Sequence, residues 1–189
     1  MKTFDEFDWN GCVFPKEYMK SLFEYTQQHP FKNGLEIGFD AGCSALAFLR
    51  ANPDSILWSM DIKTKEDLKG VELLEKYHEE MAVIGKNHQL FADTDSTVTL
   101  PQWKQIPYLF DFIYVDGDHN YQGTLDDIGN SANLLNSKGY MIVDDCDPDH
   151  AHFGTYKALK YFLDNTNIKF RVDTLENSPS RAIILTREE

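Results

Sequence analysis

Short strand-like runs alternate with helix-like stretches along almost the whole chain, and this alternation is the feature that most restricts the fold. The runs are rich in β-branched and aromatic residues, whereas the stretches between them repeat apolar residues every three or four positions. Seven strands are predicted, at residues 34–38, 55–61, 88–93, 110–116, 139–145, 168–172 and 181–186. Five helices are predicted, at about residues 15–28, 44–51, 66–84, 121–136 and 151–164.

Strands that alternate with helices form parallel crossovers, so the sequence predicts an α/β fold. We expect a Rossmann-like, seven-stranded, mostly parallel sheet with helices on both faces. The short polar link "DTLENSPS" (173–180) joins the last two strands without a helix, so the last strand is predicted to be antiparallel. The 189 residues are predicted to form a single domain, with residues 1–14 as an N-terminal arm or partial lid.

Charge and composition exclude several functional classes. A formal net charge of −13 argues against nucleic-acid binding, which needs a basic face. No apolar run approaches the roughly 18 residues of a membrane span, and the acidic start lacks the features of a signal peptide, so we expect a cytoplasmic protein without membrane association. The widely spaced Cys12, Cys43 and Cys146 match neither a disulfide framework nor a zinc site.

The first three predicted strands end in residues suited to a nucleoside site. Gly38 and Gly42 lie in the turn after the first strand, and Ser44 opens the helix that follows. Asp61 ends the second strand, where an acid can accept ribose hydroxyls, and Asp93 ends the third, where an acid can reach an adenine edge. Each feature alone also fits a packing turn, a helix cap or an exposed strand end. Their order along successive strands favours the nucleoside site.

Carboxylates and an imidazole follow the fourth and fifth predicted strands. Asp116 ends the fourth strand, Asp144 and Asp145 end the fifth, and His119 lies on the turn after Asp116. The two strands are separated by one crossover of about 30 residues, so their ends meet if the strands are neighbours. Crowded carboxylates repel one another, and a divalent cation such as Mg²⁺ removes that repulsion. Helix caps facing solvent are the alternative interpretation of these acids.

The motifs resemble those of the class I S-adenosylmethionine-dependent methyltransferases. The resemblance covers about residues 33–186 and is strongest to the metal-dependent O-methyltransferases of the catechol and macrolide-sugar types. It rests on "LEIGFDAGCSA" (35–45), "MDIK" (60–63), "FADTDS" (91–96), "DFIYVDGDHNYQGTLDDI" (111–128) and "GYMIVDDCD" (139–147).

The resemblance implies roles for individual residues. It implies an S-adenosylmethionine site formed by Glu36, Gly38, Gly42, Ser44, Asp61, Asp93 and Asp116. It also implies a magnesium site of Asp116, Asp144 and Asp145, with His119 as the general base. The catechol-type metal site ends in Asp-Asn, whereas this chain has Asp-Asp. The arm before the first helix is short, so a substrate lid must be small or come from a second subunit of a homo-oligomer.

The implied reaction is Mg²⁺-assisted methyl transfer to a hydroxyl of a small polar molecule, such as a sugar, a vicinal diol or a catechol-like ring. The acceptor itself is left open. Two alternatives from other classes are an NAD(P)-dependent oxidoreductase on a Rossmann-like fold and a catalytically silent methyltransferase-like binding module. The G-x-x-x-G spacing disfavours the first, and acids at every strand end disfavour the second.

Overall fold

A seven-stranded sheet carries the fold. The computed structural model describes residues 3–9, 12, 14–65, 67–68, 87–105, 109–149 and 153–189. The strands are β1 (Asn33–Ile37), β2 (Ile56–Met60), β3 (His88–Phe91), β4 (Phe110–Val115), β5 (Leu135–Val143), β6 (Phe170–Thr174) and β7 (Ile183–Arg187). Their order is β3-β2-β1-β4-β5-β7-β6. The first five pair in parallel, and β7 lies antiparallel between β5 and β6, which confirms the predicted sheet.

Helices cover both faces of this sheet, as predicted. They are α1 (Lys16–Gln28), α2 (Cys43–Ala51), α3 (Ser96–Trp103), α4 (Tyr121–Ala132) and α5 (Phe153–Asn165). Helix α3 was not predicted, although its cap has a sequence signal: the Asp95 carboxylate accepts a hydrogen bond from the Thr97 amide at 2.8 Å. Pro101 inside α3 hides the helical pattern. The helix predicted at about 66–84 lies almost wholly outside the described residues.

The central strand β4 shows why helices must cover both faces of the sheet. Phe112 and Tyr114 belong to the apolar cluster beneath α1 and α2, whereas Ile113 and Val115 belong to the cluster beneath α3, α4 and α5. All four are almost completely buried. Side chains alternate along a strand, so a continuous apolar run needs helices on both sides.

The boundary between α4 and β5 differs from the prediction. The helix ends at Ala132 and β5 begins at Leu135, earlier than the predicted start at 139. Phe110 pairs with Leu135 and Phe112 with Tyr140, so residues 136–139 loop out of the ladder as a bulge. The residues of this bulge are polar and interrupt the apolar pattern, so the first part of the strand was not predicted.

The N-terminal arm packs against α1. Phe4 is buried, and its ring stacks on Trp9 at a centroid distance of 4.4 Å and meets the edge of Phe23. A lid function for the arm stays a prediction. Within the described ranges, no helix is both long and apolar enough to cross a membrane.

Candidate active site

The candidate site lies at the carboxyl edge of the sheet, where the strand order reverses between β1 and β4. The ladder continues one residue past the strands: the Asp116 amide donates to the Ile37 carbonyl at 2.8 Å, and the Asp144 amide donates to the Val115 carbonyl at 3.0 Å. Asp116 and Asp144 are therefore held on adjacent ends of β4 and β5, as the sequence predicted.

Gly38 makes the close approach of β1 and β4 possible. Its φ angle is +90°, and a Cβ at this position would lie 1.9 Å from the Asp116 carbonyl oxygen. An L side chain here is excluded by sterics and by backbone conformation. The absent side chain leaves the start of the glycine turn open to the cavity that it lines.

Asp61 fixes the glycine turn. One carboxylate oxygen accepts the amides of Phe39 and Asp40, each at 2.9 Å, and the other accepts the Lys63 amide at 2.9 Å. Asp61 is only 8% exposed yet it lines the cavity. Its contact with a ribose stays a prediction, since the structure shows it as the anchor of the turn.

Glu36 lies away from the cavity. It occupies the face of β1 opposite to Leu35 and Ile37, and its carboxylate accepts hydrogen bonds from Ser44, at 2.6 Å, and from Ser59. Burial raises the pKa of Glu36 to about 8, although both hydroxyls oppose the shift. The alternation of side chains along β1 accounts for this placement, and the same alternation was readable in the sequence.

A cavity of about 760 Å³ occupies the carboxyl edge. Of the predicted site residues it is lined by Gly38, Asp61, Asp116, His119 and Asp145. The predicted residues Glu36, Gly42, Ser44, Asp93 and Asp144 are not among its lining residues. The cavity is also lined by residues that were not predicted to bind a cofactor or metal, including Asp40, Lys63, Asp95, Asp118 and Asp127, and by Phe14 of the predicted arm.

Three side chains converge at the end of the cavity next to β5. The Nε2 atom of His119 lies 3.3 Å from Asp116 Oδ1 and 3.1 Å from Asp145 Oδ2. One donor atom from each residue lies within 4.8 Å of the other two. Burial raises the pKa of Asp116 to about 7, and its hydrogen bond to His119 opposes this shift. The same hydrogen bond raises the pKa of His119.

Asp144 is not part of this group of three. It is 3% exposed, and its carboxylate accepts hydrogen bonds from the hydroxyls of Tyr114, at 2.6 Å, Ser180, at 2.7 Å, and Tyr18. Asp145 has a φ angle of +54°, so the backbone bends where β5 ends. The two successive carboxylates have different surroundings, although both were predicted to bind one metal ion.

Asp127 is a buried acid that the sequence analysis missed. It lies on α4, lines the cavity and is 1% exposed. Its carboxylate accepts hydrogen bonds from the Ser96 hydroxyl at 2.5 Å and from the Asp118 amide, and burial raises its pKa to about 7. Its position just before the buried Ile128 on an amphipathic helix is the signal that could have identified it.

Replacing Glu36 with glutamine tests the buried carboxyl. Between pH 4.5 and 8 the native state holds the proton that the unfolded state releases, so wild-type stability falls through this range. The stability of Glu36→Gln relative to wild type should therefore increase by about 3 kcal/mol from pH 4.5 to pH 7. Urea unfolding across this range measures the difference, with Glu176→Gln at an exposed turn as the control for charge removal. A pH-independent difference would show that Glu36 ionises normally.

Comparisons with known proteins address the family and the fold. The family described as "Methyltransferase domain" matches residues 35–146. The search of curated proteins returned no match. The O-methyltransferase TomG from Streptomyces achromogenes, solved with S-adenosylmethionine, is 16% identical with a TM-score of 0.71, covering 98% of this chain and 86% of its own. The Podospora anserina methyltransferase PaMTH1, solved with S-adenosylhomocysteine, is 17% identical with a TM-score of 0.72, covering 94% and 80%.

A third similar structure is an O-methyltransferase from Bacillus cereus, solved with S-adenosylhomocysteine. It is 15% identical with a TM-score of 0.69, and the match covers 95% of this chain and 84% of that one. The family match spans more than half of the chain. The chain therefore belongs to the methyltransferase-domain family and has the fold of the class I S-adenosylmethionine-dependent methyltransferases, as its motifs predicted.

Proposed function

We propose that this protein transfers a methyl group from S-adenosylmethionine to a hydroxyl of a small polar molecule, with a divalent cation bound beside the acceptor. The observation that carries the proposal is that one cavity holds both the open glycine turn at Gly38 and the cluster of Asp116, His119 and Asp145. A volume of about 760 Å³ lies in the range of small-molecule sites. A cavity of this size can hold the methyl donor and a small acceptor molecule side by side.

The charge of the cavity favours a cationic donor over a nicotinamide cofactor. Its walls carry the carboxyl groups of seven aspartates, at positions 40, 61, 95, 116, 118, 127 and 145, together with one lysine, Lys63. The Lys63 ammonium already contacts the Asp40 carboxylate at 2.5 Å. An acidic wall attracts a sulfonium and opposes the pyrophosphate of NAD(P), so the oxidoreductase alternative is disfavoured.

S-adenosylmethionine supplies an electrophilic methyl group on a positively charged sulfur. The chain's own contribution is to hold the donor and the acceptor in alignment, which accounts for much of the acceleration in reactions of two bound molecules. Asp61 holds the turn after β1 through three amides, and Gly38 lets the donor approach the backbone. Phe14 contributes an apolar side chain to the same cavity.

The residues present fit a divalent cation. Donors that share one ion at about 2.1 Å and at right angles lie about 3 Å apart. The His119 nitrogen lies 3.1 and 3.3 Å from its two carboxylate neighbours, close to that spacing. We therefore assign Asp116, His119 and Asp145 as the protein donors, with Asp144 outside the set. A bound cation would supply Lewis acidity to an acceptor with two adjacent hydroxyls.

The donor set bears on which metal binds. Mg²⁺ prefers oxygen donors, whereas an imidazole suits first-row transition ions. A site with two carboxylates and one imidazole should therefore accept Mn²⁺ as well as Mg²⁺. The resemblance implied magnesium, and we propose more generally a divalent cation.

Two roles can be proposed for His119, and both require its Nε2 atom. The resemblance implies a general base, whereas the position of Nε2 between two carboxylates supports a metal donor. A base takes a proton from the acceptor hydroxyl, and that nitrogen must then be unbound. We propose the donor role because its geometry is already present, and the His119→Gln variant separates the two roles.

The donor site is tested by a matched pair of glycine variants. Gly38→Ala should weaken S-adenosylhomocysteine binding at least tenfold, because the new methyl group collides with the Asp116 carbonyl. Gly129→Ala on α4 should leave binding unchanged, since an added Cβ there meets no heavy atom within 4 Å. Isothermal titration of both variants and of wild type measures the effect.

NAD is titrated into wild type in the same series. Binding of S-adenosylhomocysteine without NAD binding supports the donor assignment. If NAD binds instead, the oxidoreductase alternative replaces it, and if neither binds, the silent-module alternative does.

The cation site is tested by Mn²⁺ titration followed by electron paramagnetic resonance. Asp145→Asn should weaken Mn²⁺ affinity at least tenfold, since one of two charged donors is lost. Asp149→Asn, an exposed acid four residues along the chain, should bind Mn²⁺ as wild type does. Unchanged affinity in Asp145→Asn would contradict the proposed donor set.

His119→Gln separates the two roles of the imidazole. If His119 is a metal donor, the variant should show weakened Mn²⁺ affinity, and saturating metal should restore part of the turnover. If His119 is only a base, Mn²⁺ affinity should stay unchanged while kcat falls by about 10²–10⁴ at every metal concentration. The second result would return the assignment to the general base.

A further inference from the structure

Two of the three cysteines, distant in sequence, meet in the fold. Cys12 belongs to the N-terminal arm, and Cys43 is the first residue of α2. Cys12 packs against the apolar cluster that contains Cys43, and the two thiols form a hydrogen bond. Their spacing, with 30 residues between them, did not predict this contact. The packing of the arm against α1 and α2 brings them together.

The two thiols differ in access. Cys12 is half-buried and lines a cavity of about 350 Å³ with Phe7, Trp9 and Phe14. Cys43 is 1% exposed and does not line this cavity. A small polar oxidant can therefore reach Cys12 first.

A cation lies close to the accessible thiol. The Arg50 guanidinium lies 4.7 Å from the Phe7 ring centroid and 4.6 Å from that of Trp9, and it donates to the Asp8 carbonyl at 2.8 Å. The hydrogen bond from Cys43 and the charge of Arg50 lower the pKa of the Cys12 thiol, against the effect of burial.

The third cysteine has the opposite environment. Cys146 is 1% exposed and belongs to the cluster on the other face of the sheet. Cys146 is therefore an internal reference for an unreactive thiol.

We infer that Cys12 and Cys43 form an oxidisable thiol pair, in which a peroxide reacts at Cys12 and Cys43 closes a disulfide that ties the N-terminal arm to α2. An accessible thiol beside a positive charge and next to a second thiol is the arrangement typical of redox-sensitive cysteines. This modification is independent of the proposed methyl transfer.

The chemistry balances with a hydroperoxide as the only co-reactant. The Cys12 thiolate attacks one peroxide oxygen, the O–O bond breaks, and the leaving oxygen departs as water after protonation. The Cys43 sulfur then attacks the Cys12 sulfenic acid, the S–O bond breaks, and a second water leaves. The two thiols lose two electrons, and hydrogen peroxide is reduced to two waters.

The crosslink would reach the candidate active site through the chain. Cys43 directly follows Gly42 in the turn after β1, and Phe14, two residues beyond Cys12, lines the main cavity. A disulfide between residues 12 and 43 would therefore join the start of α2 to the arm, two residues from the cavity-lining Phe14.

The test treats reduced full-length protein with one equivalent of hydrogen peroxide, then unfolds it in denaturant with a maleimide that blocks every remaining thiol. Intact mass should show the loss of two hydrogens and one blocked thiol instead of three. Peptide mapping should place the disulfide between Cys12 and Cys43 and the blocked thiol at Cys146. The oxidised protein should melt about 5 °C or more above the reduced protein, and a reductant should reverse this shift.

Two variants separate the roles of the thiols. Cys43→Ser should accumulate the Cys12 sulfenic acid, which dimedone traps, because the second thiol is missing. Cys12→Ser should give neither the disulfide nor the dimedone adduct. Should a variant fail to fold, the rate of maleimide labelling of native wild type replaces it, with Cys12 expected to react at least tenfold faster than Cys43 and Cys146.

A disulfide that contains Cys146, a crosslink between two chains, or equal labelling of all three thiols would overturn the inference. None of these measurements needs a methyl donor or a metal. Their outcome is therefore distinguishable from that of the proposed function.

Discussion

Crowding of carboxylates at the carboxyl edge of the sheet is the constraint on which the site depends. Five parallel strands deliver acids to one edge, and each acid must be compensated where it is buried. Asp61 is compensated by three backbone amides, and Asp144 by the hydroxyls of two tyrosines and a serine. Glu36 keeps its proton at neutral pH because burial raises its pKa to about 8. Asp116 and Asp145 share a single imidazole instead.

This distribution is the basis of the proposal that one edge both binds a donor and holds a cation. Backbone amides compensate the charge of Asp61, and side-chain hydroxyls compensate that of Asp144. Glu36 carries no charge at neutral pH because it keeps its proton. The pair beside His119 lines the open cavity and has the capacity to bind a positively charged partner. The sulfonium of the donor and a divalent cation are both partners of that kind.

The sequence predicted the sheet because strand and helix periods are local properties. Alternation set the α/β class, and the helix-free link before β7 marked the antiparallel strand. It also placed acids on the correct strand ends, since the end of an apolar run coincides with the end of a strand. The boundary of β5 was wrong because a polar bulge interrupts its pattern.

Side-chain direction was the part that the sequence did not predict. Asp144 and Asp145 are adjacent in the sequence, but their side chains lie in different environments. The backbone at Asp145 has a positive φ angle. Asp127 joins the cavity from the middle of a helix, so no strand-end rule could find it. The meeting of Cys12 with Cys43 depends on how the arm packs, and no local pattern contains that information.

The central claim is that the cation site consists of Asp116, His119 and Asp145 and excludes Asp144. A crystal structure with Mn²⁺ and S-adenosylhomocysteine, using the anomalous signal of the metal, tests it most directly. The account predicts one anomalous peak among those three side chains, next to the ligand in the main cavity, while Asp144 still accepts the Tyr18 and Tyr114 hydroxyls. A peak bound to the Asp144 carboxylate, or a filled ligand site with no peak beside it, would contradict the account.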